Sequence, residues 1–356
     1  MSAGAAAGAL ALLITVIVVS LSVARSREAA LLREVQQSNA WGARLVAVSY
    51  LWQLEKFGMV VADLASDPEL ARLLEADDIG AGQVFLDSAA KNLSEAETLM
   101  ILDADGRPLS RIPTVPNLRK WNYAYRDYFQ GARRHVGVRG INAVHVSRVF
   151  TSTLDGLSKF TLSTAIWAGD PQNPRLLGVL NVDLTTSSTI GLLTQLSDGR
   201  REWALAGRAE KDGSSGEPRY QILIHPSYRR KESAVFIQGD RIRSILPPDP
   251  SQPELRLPAA DSPLDRPPVE QDEYIDSVAD QHGDSSRYLA VFAPIGNTEH
   301  VAIVQQRYDL AIEPNKTLTS RMTWWGAAAF SLGAGIAALA AVYDRRRAAL
   351  RRRLGR

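Results

Sequence analysis

Between Tyr123 and Ala132 the chain reads YAYRDYFQGA, three tyrosines and a phenylalanine around a single arginine. An arginine suits the capture of a carboxylate, because its planar fork donates two parallel hydrogen bonds. Aromatic neighbours exclude water, which strengthens such a charge pair, and they add cation–π contact. A candidate counter-charge lies in GVLNVDLTT, from Gly178 to Thr186. Strand alternation there places Leu180, Val182 and Leu184 on one face and Val179, Asn181 and Asp183 on the other. The first set suits a core and the second a polar concavity, so Arg126 and Asp183 on opposite walls would hold a zwitterion. The same residue types also fit a packed core, with Arg126 extended into solvent and Asp183 bonded to a backbone amide. Residue types alone leave both readings open.

Other chemistries find less support. The chain has no cysteine, which excludes disulfides, thiolate metal sites and cysteine nucleophiles. His135 and His145 fall on different expected elements, His225 and His300 lie far downstream, and no carboxylate stands at ligand spacing from them, so no metal site is expected. The HGDSS stretch at 282–286 contains His, Asp and Ser, but contiguity in a loop is not triad geometry. No nucleophile elbow and no Gly-rich phosphate loop is present. The expectation is a protein without catalytic residues or cofactor.

Two stretches are too apolar for a soluble core. Residues 2–24 carry no charge and are long enough to cross a hydrocarbon layer of ~30 Å. Residues 322–343 also lack charge and begin near the interfacial pair Trp324-Trp325. A cleavable signal peptide ending near Ala24 is the rival reading of the first stretch; the missing basic n-region and the long apolar run favour an uncleaved anchor. The tail at 344–356 holds seven arginines against one aspartate. The positive-inside rule places it in the cytoplasm, outweighing Arg25 and Arg27 after the first span. Both termini are then cytoplasmic and the roughly 300 residues between the spans lie outside a bacterial inner membrane. The net charge of +2 is carried by that tail, whose removal leaves 34 basic against 38 acidic residues. No nucleic-acid surface is indicated, and the arginine tail suits anionic lipid headgroups. Ala329, Gly333 and Ala337 recur every fourth residue, a spacing that fits close helix approach or a plain Ala/Gly-rich span.

Between the spans, the periodicity predicts a helix from Arg27 to Leu64, over ~50 Å long. Trp41, Leu45, Val48 and Trp52 form one apolar stripe, and Leu54, Phe57, Val61 and Leu64 another. A short helix from Pro68, capped by Ser66 or Asp67, and another near 83–92 follow. ETLMILDADGRPLSRI reads as a hairpin turning at Asp105-Gly106. Tyr125, Tyr128 and Phe129 are expected on one side of a helix. AVHVSRVFTS, KFTLSTAIWA and LLGVLNVDLTT read as a meander that completes a five-stranded antiparallel sheet, with a helix at 189–196 behind it. EWALAG, YQILIH, AVFIQ, YLAVFAPI and HVAIVQQ suggest a second α/β unit. Eight of the eighteen prolines fall between Pro247 and Pro268, marking an irregular loop.

This order is similar to the double Cache sensors, the extracytoplasmic ligand-binding domains of bacterial chemoreceptors, histidine kinases and cyclases. Arg126-Asp127-Tyr128-Phe129-Gln130-Gly131-Ala132 resembles that family's Arg-x-aromatic-aromatic-x-x-Ala helix. Gly178 to Leu184 resembles its Gly-Val-Leu-x-x-Asp-Leu strand, and the Asp155-Gly156 turn falls between the two as in the family. The resemblance covers 27–312 and is densest over 95–195. It implies an α+β fold: two tandem PAS-like antiparallel-sheet units on one long N-terminal helix, a membrane-distal unit at about 80–197 and a membrane-proximal one at about 198–312. It also implies Arg126 for a ligand carboxylate and Asp183 for an ammonium, with Tyr128, Phe129 and Phe150 as walls and Ser152 beside them. The chain departs from amino-acid-binding members in having Tyr128 for the usual Trp, Phe129 for Tyr and Ser152 for a second Asp.

With only 13 residues after the second span, the expectation is a membrane sensor for a small solute such as an amino acid, amine or organic acid. It would signal to a separate kinase, cyclase or chemoreceptor-type protein and would dimerise along the long helix. The alternatives are a ligand-free protein-binding or scaffold module of an envelope complex and an anchored hydrolase.

Overall fold

The computed structural model describes residues 3–94, 96–152, 156–169, 173–184, 200–210, 219–227, 234–237 and 267–354. The expected helix at 189–196, Asp155 of the expected turn, and the proline-rich loop up to 266 lie outside them.

Helix α1 spans Ala3–Ala65 without a break, joining the first apolar stretch to the predicted long helix. It stops before Pro68, which opens α2 (Pro68–Ala76); the Asp67 side chain accepts from Glu69 N and caps it. Asp77 closes α2 in the left-handed conformation, and Asp78 caps α3 (Ile79–Asn92), which starts four residues earlier than predicted. The chain divides into two units, a smaller one of residues 1–35 with 308–356 and a larger one of residues 36–307.

In the larger unit, β1 (Ala96–Asp103) and β2 (Pro108–Ile112) form the expected hairpin, and β5 (Ser158–Ala168) and β6 (Arg175–Leu184) the expected antiparallel pair. The sheet order is β2-β1-β6-β5-β3, with β4 also on β5. The predicted strand over 143–152 is corrected: it is two short pieces, β3 (His145–Val146) and β4 (Phe150–Thr151), so among the described residues the sheet has six strands rather than five. The break has a physical cause. Val149 N donates to Arg208 O (2.9 Å) and Val149 O accepts from Glu210 N (2.7 Å), so the chain leaves its own sheet to pair with the second one.

The second sheet runs β10-β11-β12-β7-β8-β9. Its strands are β7 (Arg201–Arg208), β8 (Tyr220–Ile224), β9 (Phe236–Ile237), β10 (Val269–Ile275), β11 (Arg287–Pro294) and β12 (His300–Arg307). Strand β10 and the short helix α5 (Ser277–Gln281) were not expected. The VEQDEYI sequence of β10 is mostly polar and follows the proline cluster, so its pattern is weak. Among the described residues, two antiparallel sheets and the long N-terminal helix are thus the architecture of the larger unit.

One core joins the buried face of α1 (Val46, Tyr50, Leu51, Leu54, Val61) to Leu180, Val182 and Leu184 of β6 and to Trp203 and Val304 of the second sheet. The second predicted stripe of α1 contributes Leu54 and Val61 to this core. The first stripe does not: Trp41, Leu45, Val48 and Trp52 are exposed. On the opposite face of the first sheet, Met100, Leu102 and Val179 pack with Tyr123, Tyr128, Phe129 and Phe150.

In the smaller unit, the last helix, α6 (Tyr308–Leu354), contains Pro314 and covers the second apolar stretch. Tyr308 OH donates to Glu28 Oε1 (2.9 Å) and Asn315 Nδ2 to Ala24 O (3.3 Å), so the start of α6 lies beside residues 24–28 of α1. Among the described residues one helical stretch, Val18–Ala65, is long and apolar enough to cross a membrane by length and composition. Part of it is buried in the core described above.

Candidate functional site

A single turn places the aromatic segment. Asp103 Oδ1 accepts from Asp105 N (2.9 Å) and Arg107 N (2.8 Å), closing the β1–β2 turn around Gly106, whose φ is +79°. A Cβ at Gly106 would lie 2.6 Å from Ala124 N, and Gly106 O accepts from Tyr123 N at 2.8 Å. Glycine is required there both for its left-handed backbone and for that close approach.

Helix α4 then runs Asp127–Arg134, with Arg126 at its N-cap. The expectation that Tyr125 shares this helix with Tyr128 and Phe129 is corrected: Tyr125 precedes the helix and is exposed. Asp127 anchors the helix start, its Oδ2 accepting from Arg148 N (2.8 Å) and lying 3.1 Å from His145 Nε2. Burial pushes the Asp127 carboxyl up, but the hydrogen bond and charge of His145 and the contacts of Arg148 outweigh it and hold it down at about 2. Gly131 leaves room for the His145 ring, since a Cβ there would fall 2.2 Å from Nε2.

Above the first sheet, Thr98, Met100, Arg111, Tyr123, Arg126, Tyr128, Phe150, Ser152 and Asp183 line a cavity of about 30 Å³. Five of the six residues singled out in the sequence stand at this wall: Arg126, Tyr128, Phe150, Ser152 and Asp183. Phe129 is the exception. It is fully buried in the cluster with Leu102, Ala132 and Val179 and does not line the cavity. Neighbouring helix positions point about 100° apart, so turning Tyr128 to the cavity turns Phe129 into the sheet.

The guanidinium carbon of Arg126 lies 5.1 Å from the Tyr125 ring centroid and 5.2 Å from that of Phe150. Arg126 Nη1 pairs with Glu210 Oε2, while Glu210 Oε1 accepts from Asp127 N at 2.9 Å. Arg126 Nε is buried without a hydrogen-bond partner. Burial works against the Arg126 charge, but pairing with Glu210 outweighs it and raises the pKa, so the cation is held firmly. Asp183 is different. Burial raises its pKa, despite the Thr161 hydroxyl that donates to Oδ1 (2.6 Å) and the nearby Lys159, Thr98 and Arg111. Tyr128, pushed well up by burial, stays a neutral phenol. On the Asp183 face of β6, Asn181 is buried with both its Oδ1 and Nδ2 unpartnered.

The sequence reading missed four lining residues. Thr98 and Met100 alternate with the core residues Leu99 and Ile101 along β1, and Met100 pairs with Arg111 across the hairpin. Applying strand alternation to the hairpin would have found all three. Tyr123 stood inside the quoted segment. Glu210, 84 residues from Arg126, had no sequence signal.

Larger recesses carry less relevant chemistry. One of about 510 Å³ adjoins Arg111 and is lined by Gln83, Thr114 and Lys120. Another, of about 710 Å³ on the second sheet, includes Glu202, Asp276, Asp284, Tyr288 and Arg307. Here, where no carboxylate stands at ligand spacing from His225 in the sequence, the fold brings ligand-type atoms of Glu202, His225 and Asp276 within 4.8 Å of one another. Strands β7 and β8 and the approach to α5, distant in sequence, supply them. Ser227 N donates to His225 Nδ1 (3.1 Å), which leaves the ring proton on Nε2, 3.0 Å from Asp276 Oδ2. Gln305 Nε2 donates to Asp276 Oδ2 (2.9 Å) and Glu202 Oε2 (3.2 Å). The cluster is thus satisfied by its own hydrogen bonds. In HGDSS, the Ser286 hydroxyl donates to Asp284, while His282 Nδ1 faces Val278 O, so the three residues form no relay.

No family model and no curated protein matches the chain. Solved structures do. The ligand-binding domain of the Pseudomonas fluorescens chemoreceptor CtaA with L-isoleucine matches at 15% identity and TM-score 0.49, over 81% of this chain and 98% of that one. The domain of the Pseudomonas aeruginosa amino-acid chemoreceptor PctB with L-Arg matches at 13% and 0.49, over 78% and 97%. That of Campylobacter jejuni Tlp3 with L-valine matches at 14% and 0.45, over 80% and 97%.

Proposed function

We propose that this chain is a membrane-anchored extracytoplasmic sensor that binds a small carboxylate-bearing solute at the Arg126 cavity. One observation carries the reading: two buried guanidiniums, Arg111 and Arg126, a buried carboxylate, Asp183, and aromatic and hydroxyl groups converge on one hollow lined from β1, β2, α4, β4 and β6. Converging buried charges cost desolvation and are otherwise hard to explain in a packing role. The two cations exceed the one anion, and Ser152 supplies a hydroxyl instead of a second carboxylate. An organic acid or amino acid therefore suits the site better than a simple amine.

In this reading residues 2–24 and 322–343 span the membrane, both termini are cytoplasmic, and 27–312 form the outer sensor, with a distal unit at about 80–197 and a proximal one at about 198–312. The hydrogen bonds of Tyr308 and Asn315 to residues 28 and 24 support a pairing of α1 and α6 where the two spans begin. The exposed stripe of Trp41, Leu45, Val48 and Trp52 is the face for a second copy, and a separate signalling protein in the membrane reads the shift. Among binding-free roles, a scaffold module is favoured by one observation, the small cavity volume of about 30 Å³.

Thermal unfolding of the detergent-solubilised full chain, screened with L-amino acids, organic acids and amines, separates these readings. The sensor reading expects at least one acid to raise the melting temperature of the wild type but not of Arg126→Gln. No shift across the panel favours the scaffold.

A further inference from the structure

The carboxylate that a solute would bring to Arg126 is already supplied by the protein. Glu210 lies just beyond β7 of the second sheet. It gives one oxygen to the Arg126 guanidinium and the other to Asp127 N (2.9 Å) at the start of α4. A guanidinium together with a helix N-terminal N–H is what a free carboxylate seeks. Glu210 is also stitched into the junction between the sheets. Its backbone N donates to Val149 O (2.7 Å), and Val149 N donates to Arg208 O (2.9 Å). Nearby, Glu299, just before β12, receives Arg148 Nε (2.6 Å) and the Arg208 guanidinium, while Arg148 N reaches Asp127 (2.8 Å).

We infer that Glu210 is a tethered stand-in for the ligand, and that an incoming solute carboxylate takes its place on Arg126 and so unclasps the distal sheet unit from the proximal one. This rests on the solute-binding reading above. Charge supports the exchange: Arg111 and Arg126 against Asp183 leave one positive charge, which Glu210 balances and which a carboxylate solute would balance equally. The cavity of about 30 Å³ has room for roughly one water, so an amino or organic acid enters only if the lining side chains move; Glu210 does not line it, and its withdrawal releases the Arg126 guanidinium, which does. The Arg126–Glu210 contact both blocks the cation and joins the two sheets. Because Arg126 is free for solute only while Glu210 is off, the apparent affinity is lowered by the fraction of time the clasp is open.

The test is isothermal titration of the detergent-solubilised full chain with L-amino acids, γ-aminobutyrate, acetate, succinate and malate. Wild type, Glu210→Gln, Glu210→Asp and Arg126→Gln are compared. Glu210→Gln removes the competing charge while retaining an acceptor for Asp127 N; Glu210→Asp withdraws the carboxylate by one methylene and serves if the first variant folds poorly. The expected result is an acid that binds Glu210→Gln about tenfold to a hundredfold tighter than wild type, binds Glu210→Asp with intermediate affinity, and fails to bind Arg126→Gln. An acid that binds wild type and both Glu210 variants equally, yet needs Arg126, overturns the exchange while leaving the solute reading intact. No binding by any form overturns the solute reading and the exchange with it.

Discussion

Replacing Arg126 by Met removes one half of a charge pair whose side chains are only 10% and 20% exposed. At an effective dielectric near 20, unit charges ~4 Å apart attract by about 4 kcal/mol, and burial takes back part of that. Breaking a fully buried pair costs ~3–5 kcal/mol, because the survivor stays desolvated. Glu210 retains the Asp127 N–H and some solvent, so a loss of about 2–3 kcal/mol is expected for Arg126→Met. Glu210→Gln should cost less, since the Gln oxygen still serves Asp127 N. The double variant should lose less than the sum of the singles, with a coupling of about 1–3 kcal/mol. Urea unfolding of the full chain, followed by tryptophan fluorescence, measures all four corners of this cycle. Additivity within ~0.5 kcal/mol would refute the clasp.

Three further tests address the surrounding packing. His300 is buried edge-on against Phe160 at 4.9 Å, and burial lowers its pKa to about 4. Since an unfolded imidazole takes a proton below about 6.5, stability present above that pH should fall away by up to about 3 kcal/mol toward pH 4; His300→Gln should flatten pH-dependent melting over that interval. Asn181, buried with neither amide atom partnered, should tolerate Leu with a gain of ~1–3 kcal/mol, and a lower melting temperature would show that the amide has an unseen role. Gly131→Ala drives a Cβ into the His145 ring and should destabilise the protein by ~1–3 kcal/mol, read as a lower urea midpoint.

Much of the site was legible because strand periodicity fixes a face without any long-range information. Alternation along β6 put Leu180, Val182 and Leu184 in the core and Asp183 toward the cavity, as observed. The helical reading of 125–129 failed at its start. There the side chain that receives Asp127 N is Glu210, and no local rule could name a partner from the other sheet. A neighbouring backbone contact accounts for the strand break before Phe150, where Val149 bonds to residues 208 and 210 in place of its own sheet. Phe129 was misplaced by grouping it with Tyr128; one helical step separates a cavity wall from the core. The stripe of Trp41, Leu45, Val48 and Trp52 had the right period for a helix, but periodicity does not say which of two apolar faces the monomer covers. Residue types likewise missed the Glu202–His225–Asp276 cluster, since two strands and a helix start had to be assembled first.

A crystal structure of the chain with a bound acid tests the account most directly. The account predicts the solute carboxylate within hydrogen-bond reach of the Arg126 guanidinium, Asp183 on the opposite wall, and Glu210 swung away. An acid seated instead beside Glu202 and Asp276, with Arg126 still held by Glu210, would contradict it.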